Sequence, residues 1–275
     1  MDVTAFAPQR RAESRGPVRS SRALKVWAVL AKPRNLFCTL LVAYVLLTLA
    51  VVLKTPVLDI DTWVRHMRLK GHHENLYPYW HTYVMLGQRG PVTLAALPWF
   101  IWIARRRSSP RPLLMLAISL VVLNLSVGIV KIATGRISPR SFYTPADAVF
   151  TGGNIYPSGH ISNIVVLYGL ITMLAAPRYR RLLLGITVFV TLSVGVGTLF
   201  LNTHWVTDIA GGILAGGLVL CSLHWLLPPT ERFVLRVSRR LRARRRRRRS
   251  RRVAALPANP PATESEGALA GSVAK

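Results

Sequence analysis

The sequence predicts an all-α integral membrane bundle of six transmembrane helices. Two observations carry that expectation. The 275 residues are 51% hydrophobic yet carry a formal net charge of +27, and the mean hydropathy is still positive. A soluble domain with so much charge does not also show that hydropathy, whereas apolar spans flanked by basic segments show both. The second observation is placement. The arginines avoid the apolar stretches and crowd the termini and short connections. That is the pattern of a membrane protein rather than of a nucleic-acid-binding surface.

A helix crosses a bilayer with about 20 mostly apolar residues. The expected spans are 36–53, 91–104, 113–133, 161–176, 182–201 and 205–227. The second is short and is drawn back as far as Tyr83. Ahead of the first lie Arg10, Arg11, Arg15, Arg19 and Arg22, and no small-residue cleavage site follows it. It therefore reads as a retained anchor. Arg105, Arg106, Arg107 and Arg111 follow span two, and Arg178, Arg180 and Arg181 follow span four. Arg239, Arg240 and the arginine run 244–249 follow span six. With six spans these clusters and the N-terminus share one side, the cytoplasm, so both termini lie inside. Arginine also far outnumbers lysine, which points to a high-GC bacterial genome and hence a bacterial plasma membrane.

Three regions follow: a basic cytoplasmic tail at 1–35, a membrane domain at 36–227, and a basic, disordered tail at 228–275 suited to anionic lipid headgroups. Cys38 and Cys221 each sit in an apolar stretch and are expected as buried thiols, with neither disulfide nor metal-ligand spacing. The outer side receives 54–88, 134–157 and the turn 202–204. The first, rich in Tyr, Trp and His, reads as a short lid or interfacial helix with Trp63, Tyr77, Tyr79 and Trp80 at headgroup level. His66, His72, His73, His81 and His224 read as interfacial or satisfied polar residues. Gly212 and Gly216 are expected to allow close packing of span six.

The chemistry concentrates at that outer face. Lys131 ends span three, and Gly135-Arg136-Ile137-Ser138-Pro139-Arg140 follow. Tyr156-Pro157-Ser158-Gly159-His160 open span four. Free amides and a positive dipole at a helix start suit phosphate. Ser158 offers a hydroxyl and His160 a proton that titrates near neutrality. At the start of span six, His204 and Asp208 are four apart and share a helix face. Asp208 can hold one imidazole nitrogen and leave the other as a nucleophile. An acid within a membrane helix is costly, which marks Asp208 as functional.

The ordered set Lys131…Pro139, Pro157-Ser158-Gly159-His160 and His204-x-x-x-Asp208 is similar to the type-2 phosphatidic acid phosphatase superfamily, over about residues 87–217. The resemblance implies a metal-independent phosphatase without cofactors, acting on a lipid phosphate or polyprenyl pyrophosphate at the outer membrane face. It implies that His204 becomes phosphorylated, that Asp208 orients it, and that His160 protonates the leaving oxygen and then activates water. It implies that Lys131, Ser158 and the Gly159 amide hold phosphate oxygens. Two arginines of the family pattern are absent, with Ser138 and Thr198 in their places. If the loop is extended, Arg136 and Arg140 flank Ser138 and either can supply a guanidinium. Thr198 and Asn202 can offer only neutral groups, and Asn124 and Asn163 read as interhelical hydrogen bonders or added donors. Two alternatives stay open: a phosphotransferase using the same histidine with a non-water acceptor, or a non-catalytic lipid-binding protein.

Overall fold

The computed structural model describes residues 32–67, 74–140 and 144–254. Arg10 to Arg22, His72, His73 and the end of the C-terminal tail lie outside them. Among the described residues every regular element is helical. In chain order the α-helices are α1 (Pro33–Val52), α2 (Asp59–His66), α3 (Tyr77–Tyr83), α4 (Arg89–Arg106), α5 (Arg111–Thr134), α6 (Gly159–Leu174), α7 (Pro177–Phe200) and α8 (Val206–Ala254). Proline stands in the first turn of α1, α5 and α7, where its missing N–H costs nothing. Gly135 ends α5 in the left-handed region, φ 52°, and donates its N–H to Lys131 O at 3.0 Å.

Four helices are long and apolar enough to cross a membrane: α1, α5, α7 and the Val206–Ser238 part of α8. The other two expected spans differ from these. α6 is apolar but only 16 residues long, about 24 Å, and α4 has 18 residues with arginine at both ends and Pro98 inside. α6 can be short because protein surrounds it. Ile161, Ile164, Val166, Leu167 and Leu170 have no exposed surface. One core cluster joins Val166, Leu167 and Leu170 to Phe100, Leu123 and Val219 of α4, α5 and α8, and a second joins Ile161 and Ile164 to Val190 and Val194 of α7.

The outward faces are apolar as well. Val121, Leu125, Ile129 and Ile132 of α5 and Leu182, Phe189, Leu192 and Val196 of α7 are exposed. Stripes of that kind suit lipid rather than water. With lipid outside, packing rather than water exclusion joins the helices, so small residues matter at crossings. A Cβ on Gly212 would stand 2.8 Å from Ser158 O, and one on Gly216 would stand 2.7 Å from Val165 Cβ.

Two expectations are corrected. Cys38 is exposed and Cys221 half-buried, both free, because α1 and that side of α8 leave part of their surfaces uncovered. Trp80 turns inward from the outer segment. Its ring lies 5.9 Å from that of Phe200, and a Cβ on Gly197 would reach within 2.7 Å of it. Trp63, Tyr77 and Tyr79 are exposed. In the basic tail, the described residues from Pro228 are helical as far as Ala254. Arginine is a good helix former, and no glycine or proline interrupts the sequence between Pro229 and Ala254.

Candidate active site

Three chain segments meet at the C-terminal end of α5 and the N-terminal ends of α6 and α8. Phe150 N–H donates to Thr134 O at 2.7 Å, Gly153 N–H to Gly135 O at 2.9 Å and Ile155 N–H to Arg136 O at 3.2 Å, which lays residues 150–155 against 134–136. Gly153 is obligatory there, since a Cβ would lie 2.0 Å from Arg136 O. The loop then enters α6 through Ser158. The Ser158 N–H donates to Asp208 O at 2.9 Å, tying the start of α6 to the first turn of α8. Tyr156 is fully buried and its hydroxyl lies 2.9 Å from Thr48 Oγ1 of α1. Burial pushes its phenol up to about 12, so it stays protonated near neutrality.

His204 and His160 face each other with ring centroids 6.0 Å apart. His204 Nδ1 lies 3.3 Å from Asp208 Oδ2. An ionised carboxylate can only accept, so Nδ1 is the donor, and the neutral ring in that tautomer carries its lone pair on Nε2. Asp208 Oδ2 also accepts the Trp205 N–H at 2.9 Å. As the third residue of α8, Asp208 thus reaches back to the residue before the helix, as in a capping box.

Both histidines line a cavity of about 800 Å³, together with Lys131, Arg140, Gly159, Ser138 and Thr198. Lys131 Nζ donates to Asn154 O. No carboxylate lines this cavity among the described residues. Of the eight residues singled out in the sequence, His204, His160, Lys131, Gly159 and Arg140 reach it, and Asp208 lies directly behind His204. Among the described residues no three His, Cys, Asp or Glu side chains are grouped to hold a metal ion.

Two candidates do not reach the cavity. Ser158 is fully buried, and its Oγ accepts the Ile161 N–H at 3.5 Å as the N-cap of α6. Arg136 is also fully buried. Its guanidinium donates to Ala146 O from Nε (3.3 Å) and Nη2 (2.7 Å), to Thr207 Oγ1 and Asp208 Oδ1 from Nη1 (2.7 Å each), and to Asp61 Oδ2 from Nη2 (2.7 Å). These five bonds use every N–H that an arginine owns, and none is left for a substrate phosphate. The loop is folded rather than extended, so Arg136 and Arg140 do not share a face. The neutral groups also have other roles. Thr198 Oγ1 donates to Gly195 O at 2.7 Å, Asn202 lies outside the cavity wall, and Asn163 Nδ2 donates to Gly87 O at 3.1 Å.

The structure adds residues that the sequence reading passed over. Arg89, at the start of α4, lines the cavity and donates to Asn124 Oδ1, and its Nε is buried without a hydrogen-bond partner. Its signal was an arginine at the start of the second expected span, at the opposite end from Arg105, Arg106 and Arg107. His81 also lines the cavity rather than serving only as an interfacial anchor. Asp61 and Thr207 complete the network behind Asp208, and nothing local to either residue announced it.

Fold and site together define a multi-pass membrane protein with a basic, histidine-bearing cavity at one end of its helices. Residues 112–232 match the model of the PAP2 superfamily, the family that the ordered motifs resemble. The match covers Lys131, His160, His204 and Asp208. The fold is similar to the crystal structure of a transmembrane PAP2-type phosphatidylglycerolphosphate phosphatase from Bacillus subtilis. The TM-score is 0.55 with 22% identity, over 67% of this chain and 92% of that one. No curated protein matches the chain.

Proposed function

We propose that the chain is a lipid phosphatase that transfers a phosphoryl group to His204 and then to water. The observation that carries this reading is the neighbouring pair His204 and His160, on the wall of a cavity with cations and, among the described residues, no carboxylate. In the first step His204 Nε2 attacks phosphorus and forms a P–N bond. The P–O bond to the lipid alcohol breaks, and His160 gives its proton to that oxygen. In the second step His160 takes a proton from water, the water oxygen attacks phosphorus, and the P–N bond breaks to release phosphate. Asp208 holds the Nδ1 proton throughout and offsets the positive charge on the imidazole while it carries phosphate. Lys131, Arg89 and Arg140 stand where charge develops on the phosphoryl oxygens. Arg89 and Arg140 supply the guanidinium groups that Ser138 and Thr198 lack.

A lipid substrate suits the surroundings. His81 of α3 faces the basic cavity, while Pro78, Tyr79, Trp80 and Tyr83 of the same helix line an apolar cavity of about 940 Å³ with Phe189 of α7. A phosphate carried on a hydrocarbon chain can occupy both environments at once. The helices α1, α4, α5, α6, α7 and α8 as far as Leu227 serve as six spans, with the arginine clusters inside and the cavity facing out.

The test is phosphate release by the purified protein in detergent from phosphatidate, phosphatidylglycerol phosphate and undecaprenyl pyrophosphate, with His204→Ala as control. Release from one of these, lost in the variant, supports the reading. Well-folded protein that releases phosphate from none of them overturns it.

A further inference from the structure

The outer segment places an acid where the cavity does not see it. α2 is a short amphipathic helix whose Ile60 and Trp63 are exposed, yet Asp61 is only 1% exposed. An acid in the first turn of a helix ordinarily serves that helix's own amides. Asp61 serves another helix instead. Its Oδ1 accepts the Thr207 N–H at 2.9 Å, so it caps a free amide in the first turn of α8. Its Oδ2 accepts from Thr207 Oγ1 at 2.6 Å and from Arg136 Nη2 at 2.7 Å. Asp61 and His204 also share the wall of a cavity of about 10 Å³.

Charge explains why a second carboxylate is needed there. Arg136 lies between Asp61 and Asp208 at 2.7 Å from each. With Asp208 alone, the guanidinium would draw on the one carboxylate that must also hold His204. Two carboxylates against one guanidinium leave a surplus negative charge behind His204, the group that turns positive when it takes the phosphoryl. A fixed, buried charge aimed at a charge that develops only during reaction favours the reacted state over the resting one. Asp61 and Arg136 line no part of the large cavity, so their influence passes through Asp208 and the first turn of α8.

We propose that Asp61 and Arg136 are positioning residues for His204 and Asp208, with α2 of the outer segment delivering the carboxylate that completes the nucleophile's support. This rests on the reading of His204 as the phosphoryl acceptor.

The experiment uses the full chain in detergent micelles with phosphatidate as probe. Asp61→Asn, Thr207→Val and His204→Ala are compared with the parent by single-turnover phosphate release at saturating enzyme. That rate constant is independent of the fraction of molecules that fold. The expected result for Asp61→Asn is a rate constant lower by roughly 10–100-fold, with KM unchanged, and for Thr207→Val a smaller loss in the same direction. Asp61→Glu, which keeps the charge, restores part of the rate. A rate constant at the parent value in Asp61→Asn reduces Asp61 to a structural residue and overturns the proposal. Should Asp61→Asn fail to fold, the near-isosteric Thr207→Val decides on the same criterion. Full activity in His204→Ala would remove the underlying phosphohistidine reading and this proposal with it. An inactive His204→Ala beside a normal Asp61→Asn removes this proposal alone.

Discussion

Arg136 and Asp208, 72 residues apart in sequence, meet with Nη1 2.7 Å from Oδ1, and both side chains are fully buried. The contact turns a basic loop residue away from the cavity and makes it the partner of the carboxylate behind His204. Removing one member of a buried ion network leaves the others uncompensated. Arg136→Met should therefore destabilise the protein by about 3–5 kcal/mol, read as a drop in the thermal midpoint in detergent. A midpoint equal to the parent's would show that Asp61 and Asp208 tolerate each other without the guanidinium.

Arg140 is its opposite. It is exposed on the cavity wall, so Arg140→Ala should leave the thermal midpoint alone and raise KM for phosphatidate. A hydrogen bond to a charged group contributes about 1.5–3 kcal/mol, so the increase should be roughly tenfold or more. Unchanged KM would remove Arg140 from the substrate's contacts.

Arg89 is expected to act likewise, and Asn124 through it. Arg89→Ala should raise KM as Arg140→Ala does, and Asn124→Ala should produce a weaker version by freeing the guanidinium it accepts from. Steady-state kinetics of the two variants check this. An Asn124→Ala effect larger than that of Arg89→Ala would contradict the order of action.

Backbone packing makes a separate prediction. In Gly153→Ala the new Cβ would meet Arg136 O at 2.0 Å, a backbone atom that cannot rotate away. The expected cost is about 1–3 kcal/mol or more, with activity falling as the loop shifts. Gly128 in α5 has nothing within 4 Å of its Cβ position. Gly128→Ala should therefore be neutral or stabilising by up to about 1 kcal/mol. Thermal unfolding of the pair separates the two cases.

Orientation can be read by labelling. In a parent with Cys38 and Cys221 replaced by alanine, Asp147→Cys on the active-site loop should react with a membrane-impermeant maleimide in intact cells. Ser109→Cys, between α4 and α5, should react only after permeabilisation. The reverse pattern would place the site on the cytoplasmic side.

Much of this molecule was legible in the chain because the signals were local. Apolar runs bounded by arginine marked the helices of the bundle, since hydropathy and charge act residue by residue. Pro157, Ser158 and Gly159 announced the start of α6, and His204 and Asp208 share a face because helical spacing requires it. Tertiary structure decided what depends on distant partners. Arg136 and Arg140 are four residues apart with the same chemistry, yet one is sealed among Asp61, Thr207 and Asp208 while the other faces the cavity. Ser158 was expected to offer its hydroxyl to phosphate, and in the structure that hydroxyl is buried and accepts the Ile161 N–H as a helix cap. Arg89 and Asp61 joined the site from segments whose own sequence carries no catalytic pattern. A guanidinium goes wherever its charge is best compensated, and for Arg136 that place is set by how its segment meets α2 and α8, which no local spacing encodes.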